Sequence, residues 1–283
     1  MKERSITTRK AVNGVVTAAA GAAAVFGLAM LLWILGVVIL RGIAAIDWSF
    51  FTQLPSPPGE SGGGVANAIV GTFIITVVAA IIGVPLGVLA GTYVAEFGRD
   101  SRFASAIRFC ANTLMGAPSI VVGVFVYTFM VVPMGRFSGI AGSVALAIIM
   151  LPIVARTTED MLRLVPNSLR ESALALGAPE HNMIVQVVFR AARSGMLTGI
   201  MLAVARVSGE TAPLLFTTLN SPYWTVALDK PMANLTVTIF NYAMSPYTDW
   251  QAKAWGASLL ITATVLIMNL AARAAARERR FGS

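Results

Sequence analysis

Two residues of opposite charge lie within an otherwise apolar stretch of this sequence. Between residues 194 and 220, Arg206 and Glu210 are the only charged side chains. Because they are four residues apart, a continuous α-helix would place both side chains on one face, one turn apart. An ionisable pair inside lipid is costly, so the pair points to a function or to a structural ion pair.

The residues alone do not separate these two interpretations. A structural ion pair would hold the helices together, and loss of one partner would cost about 3–5 kcal/mol. Alternatively, the planar guanidinium of Arg206 would bind an oxyanion bidentately on a transport pathway. Glu210 would then neutralise Arg206 in the empty pathway and accept a hydrogen bond from a protonated anion. Gly209, between them, would allow a neighbouring helix to approach closely.

The composition is that of a membrane protein. Hydrophobic residues make up 57% of the chain and charged residues 12%, whereas a soluble domain carries about 25% charged residues. Apolar windows long enough to cross about 30 Å of hydrocarbon recur along the chain. They are residues 11–40, 61–95, 109–135, 137–155, 194–220 and 254–272. Because lipid requires backbone hydrogen bonds within the segment, we predict an all-α polytopic membrane protein with six transmembrane helices.

The basic residues are distributed unevenly between the two sides of these spans. With a cytoplasmic N-terminus and alternating spans, 16 of the 21 lysines and arginines fall on the cytoplasmic side. Four fall on the opposite side, and Arg206 lies within a span. This bias predicts that both termini are cytoplasmic. Because the basic residues lie at helix ends and form no single patch, we expect no nucleic-acid partner.

Residues 156–193 form the longest predicted cytoplasmic loop. Within it, Ser168 and Glu171 have the spacing of a capping box, and Gly177 is a helix stop signal. The pattern predicts a helix of about two turns with Leu169, Ala173 and Leu176 on one side. A helix this short is marginal alone and needs a surface to pack against. The spacing leaves open whether that surface is the bilayer or a soluble partner.

Composition also suggests where the chain divides. Residues 1–64 would contain the N-terminal tail, the first transmembrane helix and an outer loop rich in proline and glycine. Residues 65–272 would form a five-helix core that includes the loop at 156–193. Residues 273–283 would form a basic cytoplasmic tail.

Several motifs in the core resemble those of one transporter family. Glu171, Ser172, Ala173 and Gly177 match the EAA loop of permease subunits of binding-protein-dependent ABC importers, with Arg190 in place of the family's proline. The resemblance covers about residues 67–269, and over these residues the sequence is similar to the branch of the family that imports phosphate. The runs that carry it are GTFIITVVAAIIGVPLGVLAGTYVAEF, GAPSIVVGVFVY, LPIVARTTEDMLRLVPNSLRESALALGA and ARVSGETAPLLFT.

The resemblance implies a type I ABC importer permease (MetI-like) bundle in the bacterial inner membrane. It implies that the pathway residues are Arg206, Glu210 and Gly209. It further implies that the loop couples to an ATPase subunit through Ser168, Leu169, Glu171, Ala173, Leu176 and Gly177. The implied partners are a second permease subunit, a dimer of ATPase subunits and an extracytoplasmic phosphate-binding protein, and the implied mechanism is alternating access.

The sequence offers no chemistry of its own to drive transport. It has no G-x-x-x-x-G-K-[ST] loop for a nucleotide, and it contains one histidine, His181, and one cysteine, Cys110. We therefore expect no cofactor and no enzymatic activity in this chain, with ATP and Mg²⁺ used by the separate ATPase subunit. The alternatives are a permease for another oxyanion, such as sulfate or molybdate, and a secondary transporter, which would usually carry inverted repeats.

Overall fold

The structure is a computed structural model that describes residues 6–98 and 101–278. Parts of the predicted basic termini, namely Lys2, Arg4 and residues 279–283, lie outside the described residues, as does Arg99. Every regular element within the described ranges is helical, which confirms the prediction of an all-α protein.

Five helical stretches are long and apolar enough to cross a membrane. The helices that form them are α1 (Ile6–Ala44), α3 (Ala66–Thr92), α7 (Gly139–Arg163), α10 (Phe189–Ser208) and α13 (Thr248–Glu278). π-helical turns extend α3 at its end, over Tyr93–Phe97, and α10 at its start, over Met183–Val188. The short helices are α2 (Trp48–Thr52), α4 (Arg102–Gly116), α5 (Ser119–Val126), α6 (Val132–Met134), α8 (Asn167–Ala175), α9 (Glu180–Asn182), α11 (Ala212–Thr217) and α12 (Leu235–Ala243).

The predicted span at residues 109–135 is not one continuous helix. Arg102–Gly116 and Ser119–Met134 are separate helical segments bent by 104° at Ala117 and Pro118. Pro118 disfavours a helical conformation of the residue before it and has no N–H to donate. Within the described residues, five helical stretches could therefore span a membrane, or six if the bent pair crosses as one.

The predicted span at residues 194–220 is also corrected. Helix α10 ends at Ser208, and α11 begins separately at Ala212. The apolar helical stretch that contains α10 begins instead at Glu180, inside the segment that the sequence predicts to be a loop. The span is therefore shifted toward the N-terminus, and the chain breaks where the predicted span would have continued.

A seam of small residues joins α3 to α7. Gly83, Gly87 and Gly91 recur every fourth residue of α3 and all three face α7. A Cβ atom added to Gly87 would lie 2.7 Å from the Cβ of Val154, and one added to Gly91 would collide with the carbonyl oxygen of Ala155. Small residues allow helix backbones to approach this closely in membranes. The seam therefore fixes α3 and α7 as a packed pair.

The remaining long helices pack outward from this pair. Helix α10 also packs on α7, where an added Cβ at Gly199 would collide with Thr157. Helix α13 packs on α10, and α1 packs on α13. The apolar part of α1 is otherwise exposed along its length. The division of the chain at residue 64 stays a prediction.

We predict that Gly87→Val destabilises the bundle, because overpacking a tight interface costs about 1–3 kcal/mol. Thermal denaturation of the detergent-solubilised protein would show a lower midpoint than for the wild type. Gly21→Val is the matched control, since no atom lies within 4 Å of a Cβ added to Gly21 in α1. Equal midpoints for the two variants would contradict the seam.

Candidate functional site

A cavity of about 100 Å³ lies where two breaks in the transmembrane helices meet. One break is the bend between α4 and α5, and the other separates α10 from α11. Helix α7 closes the remaining wall. The residues that line the cavity are Leu114, Met115, Ala117, Ser119, Val122, Ile149, Ile153, Arg206 and Glu210. The two charged residues singled out by the sequence therefore line the same cavity.

Arg206 supplies the positive charge of this cavity. It lies in the last turn of α10, where a cation is favoured by the helix dipole. Its side chain is exposed, and its guanidinium makes no hydrogen bond or ion pair with any residue that the structure describes. The donors of Arg206 are therefore available to a ligand.

Glu210 lies outside α10, so the predicted helical spacing of the pair is wrong. Gly209 ends the helix, and the amide N–H of Glu210 donates to the carbonyl of Val207 at 3.1 Å. No ion pair joins Arg206 to Glu210 within the described part of the chain. Glycine is a poor helix former, and Pro213 cannot donate a helical hydrogen bond, so the helix does not continue past this point.

Gly209 does not provide the close helix approach that the sequence suggests. An added Cβ would meet only the carbonyl oxygen of Arg206, at 3.7 Å. Gly209 is instead the residue at which α10 ends. Its contribution to the site is to set the direction in which the chain leaves α10.

The break after α10 is held by a hydrogen bond from α12. In a continuous helix the carbonyl of Glu210 would accept from the amide of Leu214, but that amide donates to Thr211 at 3.1 Å. The hydroxyl of Thr236 donates to the Glu210 carbonyl instead, at 2.9 Å. Asn234 caps α12 beside it by accepting from the amide of Val237 at 2.9 Å. These contacts fix the backbone of Glu210 at the edge of the cavity.

The predicted coupling segment is a separate short helix, α8. It begins at Asn167, after Pro166, and no side chain caps its first turn. The predicted capping box of Ser168 and Glu171 is therefore wrong, because Ser168 already lies inside the helix. The stop signal is correct, since Gly177 follows the helix with a φ of +81°, a conformation that favours glycine.

Helix α8 does not bury the three residues that the sequence placed on one side. Ala173 faces the protein and is 8% exposed, whereas Leu169 is 43% and Leu176 is 89% exposed. Ser168 and Glu171 are also exposed. Helix α8 and Leu176, which directly follows it, therefore present an exposed surface formed by Ser168, Leu169, Glu171 and Leu176.

The ion pairs of two buried carboxylates, Glu96 and Glu159, are absent from the sequence-based expectations. Arg170 of α8 pairs with Glu96 at the end of α3, at 2.7 Å. The buried carboxylate of Glu159 in α7 pairs with Arg108 at 2.8 Å and with Arg163 at 2.9 Å. Of these contacts, the one between Glu159 and Arg163 has a signal in the sequence, because the residues are four apart on one helix, as does a longer contact of Glu159 with Arg156, three residues away.

We predict that Thr236→Val destabilises the break after α10. Valine has nearly the same shape but leaves the Glu210 carbonyl without its donor, which costs about 1–3 kcal/mol for a buried group. Thermal denaturation of the solubilised protein would show a lower midpoint. Thr264→Val is the matched control, since the exposed Thr264 hydroxyl donates only to Leu260 of its own helix. A midpoint no lower than that of the control would contradict the assignment.

Comparison with known proteins assigns the fold and the family. The phosphate transport system permease protein PstA of Yersinia pestis is 51% identical over 94% of this chain and 90% of its own length. The structure is also similar to a chain of a bacterial alginate ABC transporter, with a TM-score of 0.67, 12% identity and coverage of 96% of this chain and 97% of that one. An inward-facing MetNI methionine ABC transporter gives a TM-score of 0.60, 20% identity and coverage of 76% and 94%.

These two structural similarities show a shared fold. The sequence model described as "binding-protein-dependent transport system inner membrane component" matches residues 83–280. That match covers more than half of the chain, and the chain therefore belongs to the family of binding-protein-dependent transport system inner membrane components.

Proposed function

We propose that this chain is a permease subunit of an ATP-driven importer of inorganic phosphate. It is a multi-pass membrane protein of a transport family, and its relatives named PstA are phosphate transport permeases. The observation that carries the proposal is the unpaired guanidinium of Arg206 in a cavity between two helix breaks. Irregular backbone at membrane depth is typical of substrate pathways.

In this proposal Arg206 binds the phosphate oxygens through its planar fork of donors. Glu210 lines the same cavity and limits the residence of the anion, because its carboxylate repels a dianion and competes for Arg206. A pathway needs such weak binding, since a tightly held substrate is not released. Phosphate keeps a proton near neutral pH, so Glu210 also has a donor to accept from, whereas sulfate offers none.

The energy for transport would come from another chain. We propose that one subunit of an ATPase dimer, which uses ATP and Mg²⁺, binds the exposed surface of α8 on the cytoplasmic side, with both termini of this chain on that side. A second permease subunit would complete the pathway, and an extracytoplasmic phosphate-binding protein would deliver the substrate. The exposed Leu176, beside the glycine stop, is the apolar anchor of this docking surface.

We predict that Arg206→Ala reduces phosphate uptake at least about tenfold, because a charged hydrogen bond to the substrate contributes about 1.5–3 kcal/mol. Radiolabelled phosphate uptake would be measured in cells and divided by the membrane level of the chain. Arg136→Ala is the control, since Arg136 forms an exposed pair with Asp229 at 3.3 Å, away from the cavity, and such pairs contribute little.

A double variant tests the structural alternative for the same residues. If Arg206→Ala combined with Glu210→Ala assembles and transports like the wild type, the pathway assignment is wrong. Competition by excess unlabelled sulfate identifies the anion. Loss of radiolabelled uptake in the presence of sulfate would favour the alternative oxyanion over phosphate.

We also predict that Leu176→Asp prevents the ATPase subunits from binding. Burying a charge at an apolar anchor costs about 2 kcal/mol or more, which reduces binding at least about 30-fold. Co-purification of the ATPase subunit with the tagged permease would measure this. Leu54→Asp is the control, since Leu54 is a partly exposed leucine in the loop before α3. Wild-type recovery of the ATPase with Leu176→Asp would show that α8 is not the docking surface.

A further inference from the structure

Helix α8 is attached to the membrane domain by a buried arginine. Of its nine residues, only Arg170 and Ala173 are buried. Arg170 is 7% exposed, although it belongs to a short helix whose other face is open to solvent. A buried arginine requires partners for its donors.

The partners of Arg170 come from three different elements. Its Nε and Nη2 atoms donate to the two carboxylate oxygens of Glu96, at 3.0 and 2.7 Å. Its Nη2 and Nη1 atoms also donate to the carbonyls of Leu162 and Val165, at 2.8 and 2.6 Å. Within α8 itself, Nη1 approaches the amide oxygen of Asn167 at 3.4 Å. One side chain therefore joins α8 to the end of α3 and to the end of α7.

Stability alone is a weak explanation for this pair. Buried ion pairs are often no more stabilising than apolar side chains of the same size, because both ions lose their hydration. A two-pronged contact between a guanidinium and a carboxylate instead fixes distance and orientation. The side chain of Glu96 is 4% exposed, so water does not compete for this contact.

The helices to which Arg170 is attached are connected to the cavity by direct packing. Glu96 lies in the π-helical turn that extends α3, and α3 is fixed to α7 by the seam of Gly83, Gly87 and Gly91. Helix α7 in turn supplies the cavity wall through Ile149 and Ile153. A displacement of α8 therefore reaches a packed pair of helices and, through α7, the walls around Arg206.

We propose that Glu96 and Arg170 are positioning residues that transmit the movement of α8 to the α3–α7 pair during transport. This inference rests on the proposed function, because it requires an ATPase acting on α8. Without the two-pronged contact, α8 remains bound to the ATPase, but its movement no longer displaces α3 and α7. The contact thus determines how much transport each ATP yields, and not whether the complex forms.

The test uses the complete transporter reconstituted in lipid vesicles, with the binding protein and phosphate supplied outside. The variants are Arg170→Lys, which keeps the charge but loses the bidentate hydrogen bonding of the guanidinium, and Glu96→Gln, which keeps the shape but loses the charge. ATP hydrolysis and phosphate uptake are measured on the same vesicles. We expect both variants to keep ATP hydrolysis near the wild-type rate and to transport about tenfold less phosphate per ATP.

Arg163→Lys is the matched control. Arg163 is a half-exposed arginine at the end of α7 whose ion pair is with Glu159, at 2.9 Å, and it is not among the residues that line the cavity. We expect this variant to keep the wild-type ratio of phosphate to ATP. A drop in the ratio equal to that of Arg170→Lys would overturn the proposal, because any arginine of this region would then have the same effect.

Two further outcomes would overturn the inference. Either both conservative variants keep the wild-type ratio, or both lose the ATPase subunit, which would make the pair a requirement for docking. Failure of the proposed function gives a different result, since the wild-type complex itself would then hydrolyse ATP without moving phosphate.

Discussion

A backbone carbonyl or amide at membrane depth has no water to bond to, and this constraint decides where the helices of this chain can break. The break after α10 exists because a hydroxyl from α12 replaces the missing helical donor at the carbonyl of Glu210. The break between α4 and α5 occurs at Pro118, which has no N–H to satisfy. The two breaks border one cavity, and Arg206 and Glu210 line it.

The same constraint explains why small residues are concentrated on particular helix faces. Lipid offers no hydrophobic driving force for helix association, so helices must gain contact by close packing. Helix α7 is approached by glycines on two sides, from α3 at Gly87 and from α10 at Gly199. Helix α7, which lines the cavity through Ile149 and Ile153, is therefore closely packed against two other long helices.

The sequence predicts features that depend on local composition. Long apolar runs predict the helical class, and Gly177 predicts the end of α8, because both depend on neighbouring residues alone. The predictions of a continuous helix through Glu210 and of a capping box at the start of α8 are wrong for one reason. Both assume that neighbouring residues alone decide the structure, whereas distant residues or prolines decide it in each case. The pair of Glu96 and Arg170 is 74 residues apart, and no spacing rule connects such positions. Of the cavity, the sequence predicts only the two charged residues, Arg206 and Glu210, and not the helices that form its walls.

The distance between the proposed coupling surface and the cavity sets a requirement on the proposed mechanism. Ile153 at the cavity and Leu162 at the Arg170 contact are nine residues apart on α7, which corresponds to about 14 Å along a helix with a rise of 1.5 Å per residue. Coupling over such a distance requires either a chain of packed side chains or the displacement of a whole element. Displacement of a whole helix does cross it, because a helix that is packed on two faces moves as a rigid body. For the mechanism that we propose, the close glycine seam between α3 and α7, with Arg170 at one end, favours joint movement of the two helices over a relay of local changes.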